Sequence, residues 1–179
     1  MRLFLISGKS RAGKDTFADF MIGILKENNK KVIKTQMSKY LKYYIKDYFG
    51  WDGKEETKPR TLLQMLGTDI IRKKLNHPLF FIKRTLEDIE IMKHFFDYII
   101  ISDVRFPEEI DELKKVYPDL ISINIIRPNY INELNDIEKE HISENALLNY
   151  KSFDYKIIND KTLDDLKEEA IKIMNKELK

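Results

Sequence analysis

The chemistry in this chain begins with nine residues near its start, Gly8 to Thr16, which read G-K-S-R-A-G-K-D-T. The spacing G-x-x-x-x-G-K is that of a phosphate-binding loop. Gly8 and Gly13 let the backbone turn so that N–H groups along the loop, Lys9 and Ala12 included, face a phosphate. The dipole of the helix that follows adds positive potential, and Lys14 bridges the outer phosphates of a nucleoside triphosphate. Asp15 stands where such loops ordinarily carry a Ser or Thr hydroxyl for Mg²⁺. A carboxylate can hold that metal directly or through water, and Thr16 then offers a hydroxyl and an N–H to the nucleotide.

A second group of candidates lies further on. Asp103 ends the apolar run "DYIIIS", where a carboxylate at a strand's carboxyl end reaches a metal, with a helix cap as the alternative. Arg105 follows in "DVRFPEEID", placed to stabilise a transferring phosphoryl group or to grip an acceptor phosphate; a surface pair with Glu108 or Glu109 is the alternative. Arg127 repeats that arrangement after "LISINII". In "KPRTLLQMLGTDIIR", a helical reading brings Arg60, Gln64 and Gly67 within about 60° of one another and puts Leu62, Leu63, Leu66 and Ile70 on another arc. Arg60 offers a fork of donors for a phosphate, Gln64 a donor and acceptor for a base edge, and Gly67 room for close approach. The same pattern also fits a solvated face. Asp69 points away from Arg60 on that wheel. Lys42 reaches toward an acceptor phosphate or into solvent, and Tyr40, Tyr43, Tyr44 and Tyr48 stack on a base or fill a core. His141, Ser143 and Glu144 read as residues that order a flap.

These residues need a frame. Five short apolar runs, "RLFLIS", "KVIKTQM", "DYIIIS", "LISINII" and "YKIIN", alternate with helical patterns, which predicts an α/β, doubly wound, five-stranded parallel sheet. A first helix runs from the loop to about Asn28 and a last one starts at Thr162. Between the second and third strands about sixty residues hold no strand and must form helices of their own. "SKYLKYYIKDYFG" stops at Gly50, Pro59 opens a second helix, and a third spans about Pro78 to His94. Pro128 to about Tyr150 reads as a mobile flap.

The chain has 179 residues, 42% hydrophobic and 35% charged, with a net charge of +2 and no cysteine. That suits one domain, 1–179. The scattered basic residues argue against a nucleic-acid partner and the short apolar runs against a membrane span. The absence of cysteine fits a reducing cytoplasm, so a cytoplasmic protein is expected.

Taken in order, "SGKSRAGKDT", "RTLLQMLGTDIIR", "ISDVRFPEEID", "IIRP" and "HISENAL" resemble the deoxynucleoside monophosphate kinases known from tailed bacteriophages, over roughly residues 3–160. A G-K-D-T loop is itself typical of that family. The resemblance implies a single P-loop kinase domain with a helical acceptor-binding insert at about 39–95 and a short flap at about 128–150. It implies transfer of the γ-phosphate of ATP, with Mg²⁺, to a deoxynucleoside monophosphate. Gly8, Gly13, Lys14, Asp15 and Thr16 would serve the donor phosphates and metal. Arg60, Gln64, Gly67 and Arg72 would bind the acceptor, with Arg105 and Glu109 near the reacting phosphates and Asn159 approaching adenine. Between 128 and 141 no arginine occurs, so Arg127 or Lys139 would act as the flap cation. Nucleotides are the expected partners, and a homodimer stays open. Two other readings remain: a P-loop kinase of a non-nucleotide phosphate such as phosphomevalonate, and a nucleotide-dependent switch without an acceptor.

Overall fold

Five apolar runs too short for buried helices form five strands: β1 (Arg2–Ser7), β2 (Val32–Thr35), β3 (Tyr98–Val104), β4 (Ile121–Ile126) and β5 (Tyr155–Ile158). The computed structural model describes residues 1–128 and 134–178. All strand pairs are parallel, in the order β2-β3-β1-β4-β5. Such a sheet buries both faces, and alternation along β1 divides its side chains between two cores. Phe4 and Ile6 meet Phe17, Met21 and Leu25 of α1 (Lys14–Glu27) and Leu166, Ala170 and Met174 of α8 (Leu163–Glu177). Leu3 and Leu5 share the other core with Ile82 and Ile89 of α4 (Phe80–Met92) and with Ile110 and Leu113 of α5 (Pro107–Val116). Each large side chain fully buried this way contributes about 1.5–3 kcal/mol. Thr162 caps α8, its hydroxyl accepting the Asp165 N–H.

The long connection after β2 is helical, as its length requires. The helix α2 (Lys39–Phe49) stops at Gly50, whose φ of 71° is left-handed. Pro59 precedes α3 (Arg60–Gln64), which continues into a π-helical stretch, Met65–Lys74. That stretch departs from the regular helix expected. Leu41, Ile71 and Phe81 form a small separate core for this insert.

Of the expected flap, residues 129–133 lie outside the described residues. The remainder forms two short helices, α6 (Asp136–Glu140) and α7 (Ile142–Asn145). It is docked on the body: Leu134 and Glu138 are buried, and Leu147 and Tyr150 pack against the second core. Because β1 lies between β3 and β4, the segments leaving all three strands converge at the sheet's carboxyl edge, the ligand crevice of such folds.

Candidate active site

The loop after β1 has the geometry its glycines require. Gly8 has φ +147°, and a Cβ there would come 2.4 Å from the Ile125 carbonyl oxygen. Gly13 has φ +101°, and a Cβ would meet Asn159 Nδ2 at 2.6 Å. Ala12 is buried and its N–H returns to the Lys9 carbonyl at 3.2 Å, while Lys9 itself is exposed. Lys14, the first residue of α1, is only 8% exposed, and its ammonium donates to the Lys9 carbonyl at 2.7 Å. The lysine is therefore packed inside the loop. Burial, helped by the Arg105 charge, lowers its pKa to about 7, and Glu144, Asp15 and Asp103 oppose the shift. Thr16 is exposed on the first turn of α1. Asn159, expected near adenine, donates its amide to the Ala12 carbonyl at 2.9 Å and so braces the loop from the end of β5.

The two carboxylates expected to share a metal are each held by protein groups. Ser102 of β3 donates to Asp15 Oδ1 at 2.9 Å. Asp103 turns toward α2 and accepts the N–H of Met37 at 2.6 Å, the N–H of Ser38 at 3.2 Å and the Ser38 hydroxyl at 2.5 Å. Asp103 thus makes the helix-start contact foreseen as its alternative, at α2. The charges of both carboxylates act on Lys14 and Lys42.

Beside the loop opens a cleft with an empty volume of about 870 Å³. It is lined by Lys42, Arg60, Gln64, Gly67, Arg72, Asp103, Arg105 and Glu109, together with apolar Met37, Leu63, Phe81 and Phe106. These polar members come from three separate stretches of the chain, and the fold brings them to one cleft. Most arrive already partnered. Lys42 Nζ donates to Gln36 Oε1 at 2.5 Å, and burial lowers its pKa. Arg60 pairs with Glu55 at 2.6 Å. Gln64 Nε2 donates to the Glu138 carbonyl at 3.2 Å, and the neighbouring Thr61 hydroxyl to the Glu138 carboxylate at 3.1 Å.

Two of these assignments change. A Cβ on Gly67 would sit 2.8 Å from Leu41 Cδ2, so packing against α2 already accounts for the glycine. Glu109 is 3% exposed, and its acceptors are taken by Arg72 Nη2 at 2.5 Å and by the N–H groups of Arg105 and Phe106 at 2.7 and 3.2 Å. It positions the arginines where a substrate contact had been expected. Burial pushes its carboxyl up to about 7, opposed by Arg72. Arg72 also donates to the Pro78 carbonyl at 2.9 Å and lies 4.1 Å from the Phe106 ring centroid. On an α-helix Arg72 would sit about 140° from Gly67. The π-helical turn, closed between residues five apart, brings the two onto one side.

Arg127 belongs elsewhere. It lines a second cleft with Gly8, Lys9, Asn124, Arg105 and Glu144, and donates to the Arg11 carbonyl at 3.4 Å. Arg105 faces both clefts, and its partner is Glu144 at 2.8 Å, where Glu108 or Glu109 had been the alternative. None of the four tyrosines lines either cleft; Tyr43 and Tyr48 are exposed and Tyr40 donates to Asp88. Asp69 pairs with Lys73 and stays out of the cleft. His141 orders its segment through Ser143, with Nδ1 2.8 Å from the hydroxyl. Sequence reasoning missed Ser102, Glu138 and the loop contact of Glu144; no local spacing marks any of them.

A family model described as deoxynucleotide monophosphate kinase matches residues 25–170. The chain belongs to the deoxynucleotide monophosphate kinase family. It is also 26% identical over 191 residues to an Acanthamoeba polyphaga mimivirus protein provisionally named a deoxynucleotide monophosphate kinase, with 96% of this chain and 95% of that protein covered. Among solved structures it is similar to TT1252 from Thermus thermophilus (16% identity, TM-score 0.54, 99% of this chain and 98% of that one). A sugar kinase from Janibacter is similar too (13% identity, TM-score 0.54, 98% and 95% covered). Those two likenesses concern the fold alone. In this member of the kinase family, the described residues include no helix long and apolar enough to cross a membrane.

Proposed function

We propose that the protein transfers the γ-phosphate of ATP to a deoxynucleoside monophosphate, giving ADP and the diphosphate. One observation carries the reading: the phosphate loop with its buried Lys14 and the cleft lined by Lys42, Arg60 and Arg72 meet at Arg105. A donor in the loop and an acceptor in the cleft would present their phosphates to the same guanidinium. Phosphoryl transfer depends mainly on such positioning and charge stabilisation.

In this scheme the loop N–H groups and Lys14 hold the donor phosphates, with Thr16 at their edge and Asn159 keeping the loop closed. Lys14 and Arg105 bear the charge of the transferring group. Lys42 and Arg60 attract the acceptor phosphate, and Gln64 meets the base edge. Glu109 holds Arg72 and the Arg105 backbone in place. Asp15 suits magnesium, since its Oδ2 has no protein partner among the described residues and its carboxylate stands one residue after Lys14. Asp103, near the end of β3, adds negative charge that also acts on Lys14. No group of three or more His, Cys, Asp or Glu forms a cage among the described residues, so Mg²⁺ would take most of its ligands from phosphate and water. When bound, it neutralises phosphate charge.

The test is ADP release from ATP and Mg²⁺ with a panel of deoxynucleoside and nucleoside monophosphates and phosphomevalonate, with Lys14→Ala as the blank. Turnover with deoxynucleotides is expected. Turnover with phosphomevalonate alone would replace the acceptor, and ATP binding without any turnover would replace the reaction by a switch.

A further inference from the structure

Glu144 sits where a phosphate would be expected. Its side chain is 9% exposed; Oε2 accepts the N–H of Ser10, inside the phosphate loop, at 3.0 Å, and Oε1 pairs with Arg105 at 2.8 Å. Its charge also acts on the buried ammonium of Lys14. A loop N–H, a strand-end arginine and the loop lysine are the groups that a transferring phosphoryl seeks, and here they already face one anion. Glu144 also lines both clefts, so it stands at their junction. Carboxylate and phosphate oxygens accept the same donors, and two anions cannot share them without repulsion.

We propose that Glu144 is a substrate-displaced anion: in the nucleotide-free protein its carboxylate fills the phosphate seat between Ser10 and Arg105, and a nucleotide phosphate binds by expelling it. This rests on the reading of Gly8 to Thr16 as the donor-phosphate site. Donor binding then does two things at once. It frees the Arg105 guanidinium for the incoming phosphate, and it releases the α7 end from the loop. A ligand without phosphate lacks the charge to make the exchange.

The experiment titrates inorganic pyrophosphate by calorimetry into the wild type, Glu144→Gln, Glu144→Ala and Lys14→Ala. Because an internal competitor weakens apparent affinity in proportion to its occupancy, both Glu144 variants are expected to bind pyrophosphate about 3- to 10-fold more tightly than the wild type. Melting curves accompany each titration. A folded Glu144 variant with equal or weaker pyrophosphate affinity overturns the proposal and leaves Glu144 as a structural tie. If Glu144→Gln fails to fold, Glu144→Ala decides by the same criterion; loss of folding in both variants also overturns it, since a displaceable anion cannot be essential to the fold. Wild-type protein that ignores pyrophosphate, or binds it as well after Lys14→Ala, overturns the loop assignment itself, a failure distinct from a Glu144 variant that gains nothing.

Discussion

The loop proposed for the donor consists of nine consecutive residues and would work mostly through backbone N–H groups, whereas the cleft proposed for the acceptor draws its side chains from α2, α3 with its π-helical extension, and the end of β3. The loop's shape follows from two glycines at positive φ, braced by Asn159. The cleft's shape follows from pairing: Arg72 with Glu109, Arg60 with Glu55, Gln64 with the Glu138 carbonyl. A backbone-built site is complete once one strand and one helix are in place. A side-chain site exists only when several distant segments have docked, and each recognising group must exchange a protein partner for the ligand.

The sharpest break in that contrast is Lys14→Ala. Removing the one side chain on which the loop depends is expected to lower turnover about 10³-fold, measured as ADP release, with acceptor binding retained. A fall of less than tenfold would mean that the loop's N–H groups suffice. On the cleft side, Glu109→Gln leaves Arg72 buried beside a neutral partner. Breaking such a pair is expected to cost about 3 kcal/mol, read as a melting temperature about 6–12 °C lower. An unchanged melting curve would show that the pair does not hold the cleft together.

A third prediction concerns protons. The Lys14 pKa is lowered to about 7 in the nucleotide-free protein, and a bound phosphate, being an opposite charge, raises it again. Binding therefore takes up a proton at pH values above 7 and below the raised value, and ATP affinity falls as pH climbs through that window. Calorimetry in two buffers of different ionisation enthalpy should find close to one proton taken up at about pH 8 and little at about pH 6. No uptake at the higher pH would place Lys14 away from the phosphates. The smallest effect belongs to Gln64→Ala, expected to raise the acceptor KM about fivefold while leaving the ATP KM alone, as loss of one neutral hydrogen bond does. Equal changes in both constants would sever Gln64 from the acceptor.

The sequence by itself determined the elements whose signals are local. The five apolar runs, the glycine spacing of the loop, the stop at Gly50, the Thr162 cap and the placement of Asp103 and Arg105 at a strand end each depend on neighbours a few residues away, so pattern and propensity suffice to read them. The tertiary structure alone decided which donors meet which acceptors. Arg105 meets Glu144 and Asp15 meets Ser102 across long stretches of chain, and no periodicity connects them. Gly67 serves Leu41 because α2 packs there, and Arg72 reaches the cleft because the helix loosens to π over Met65–Lys74. Both facts depend on how one element lies against another. Lys14 carries a lowered pKa for the same reason: a residue type states that a charge exists, and only the packing around it states how costly that charge is to keep.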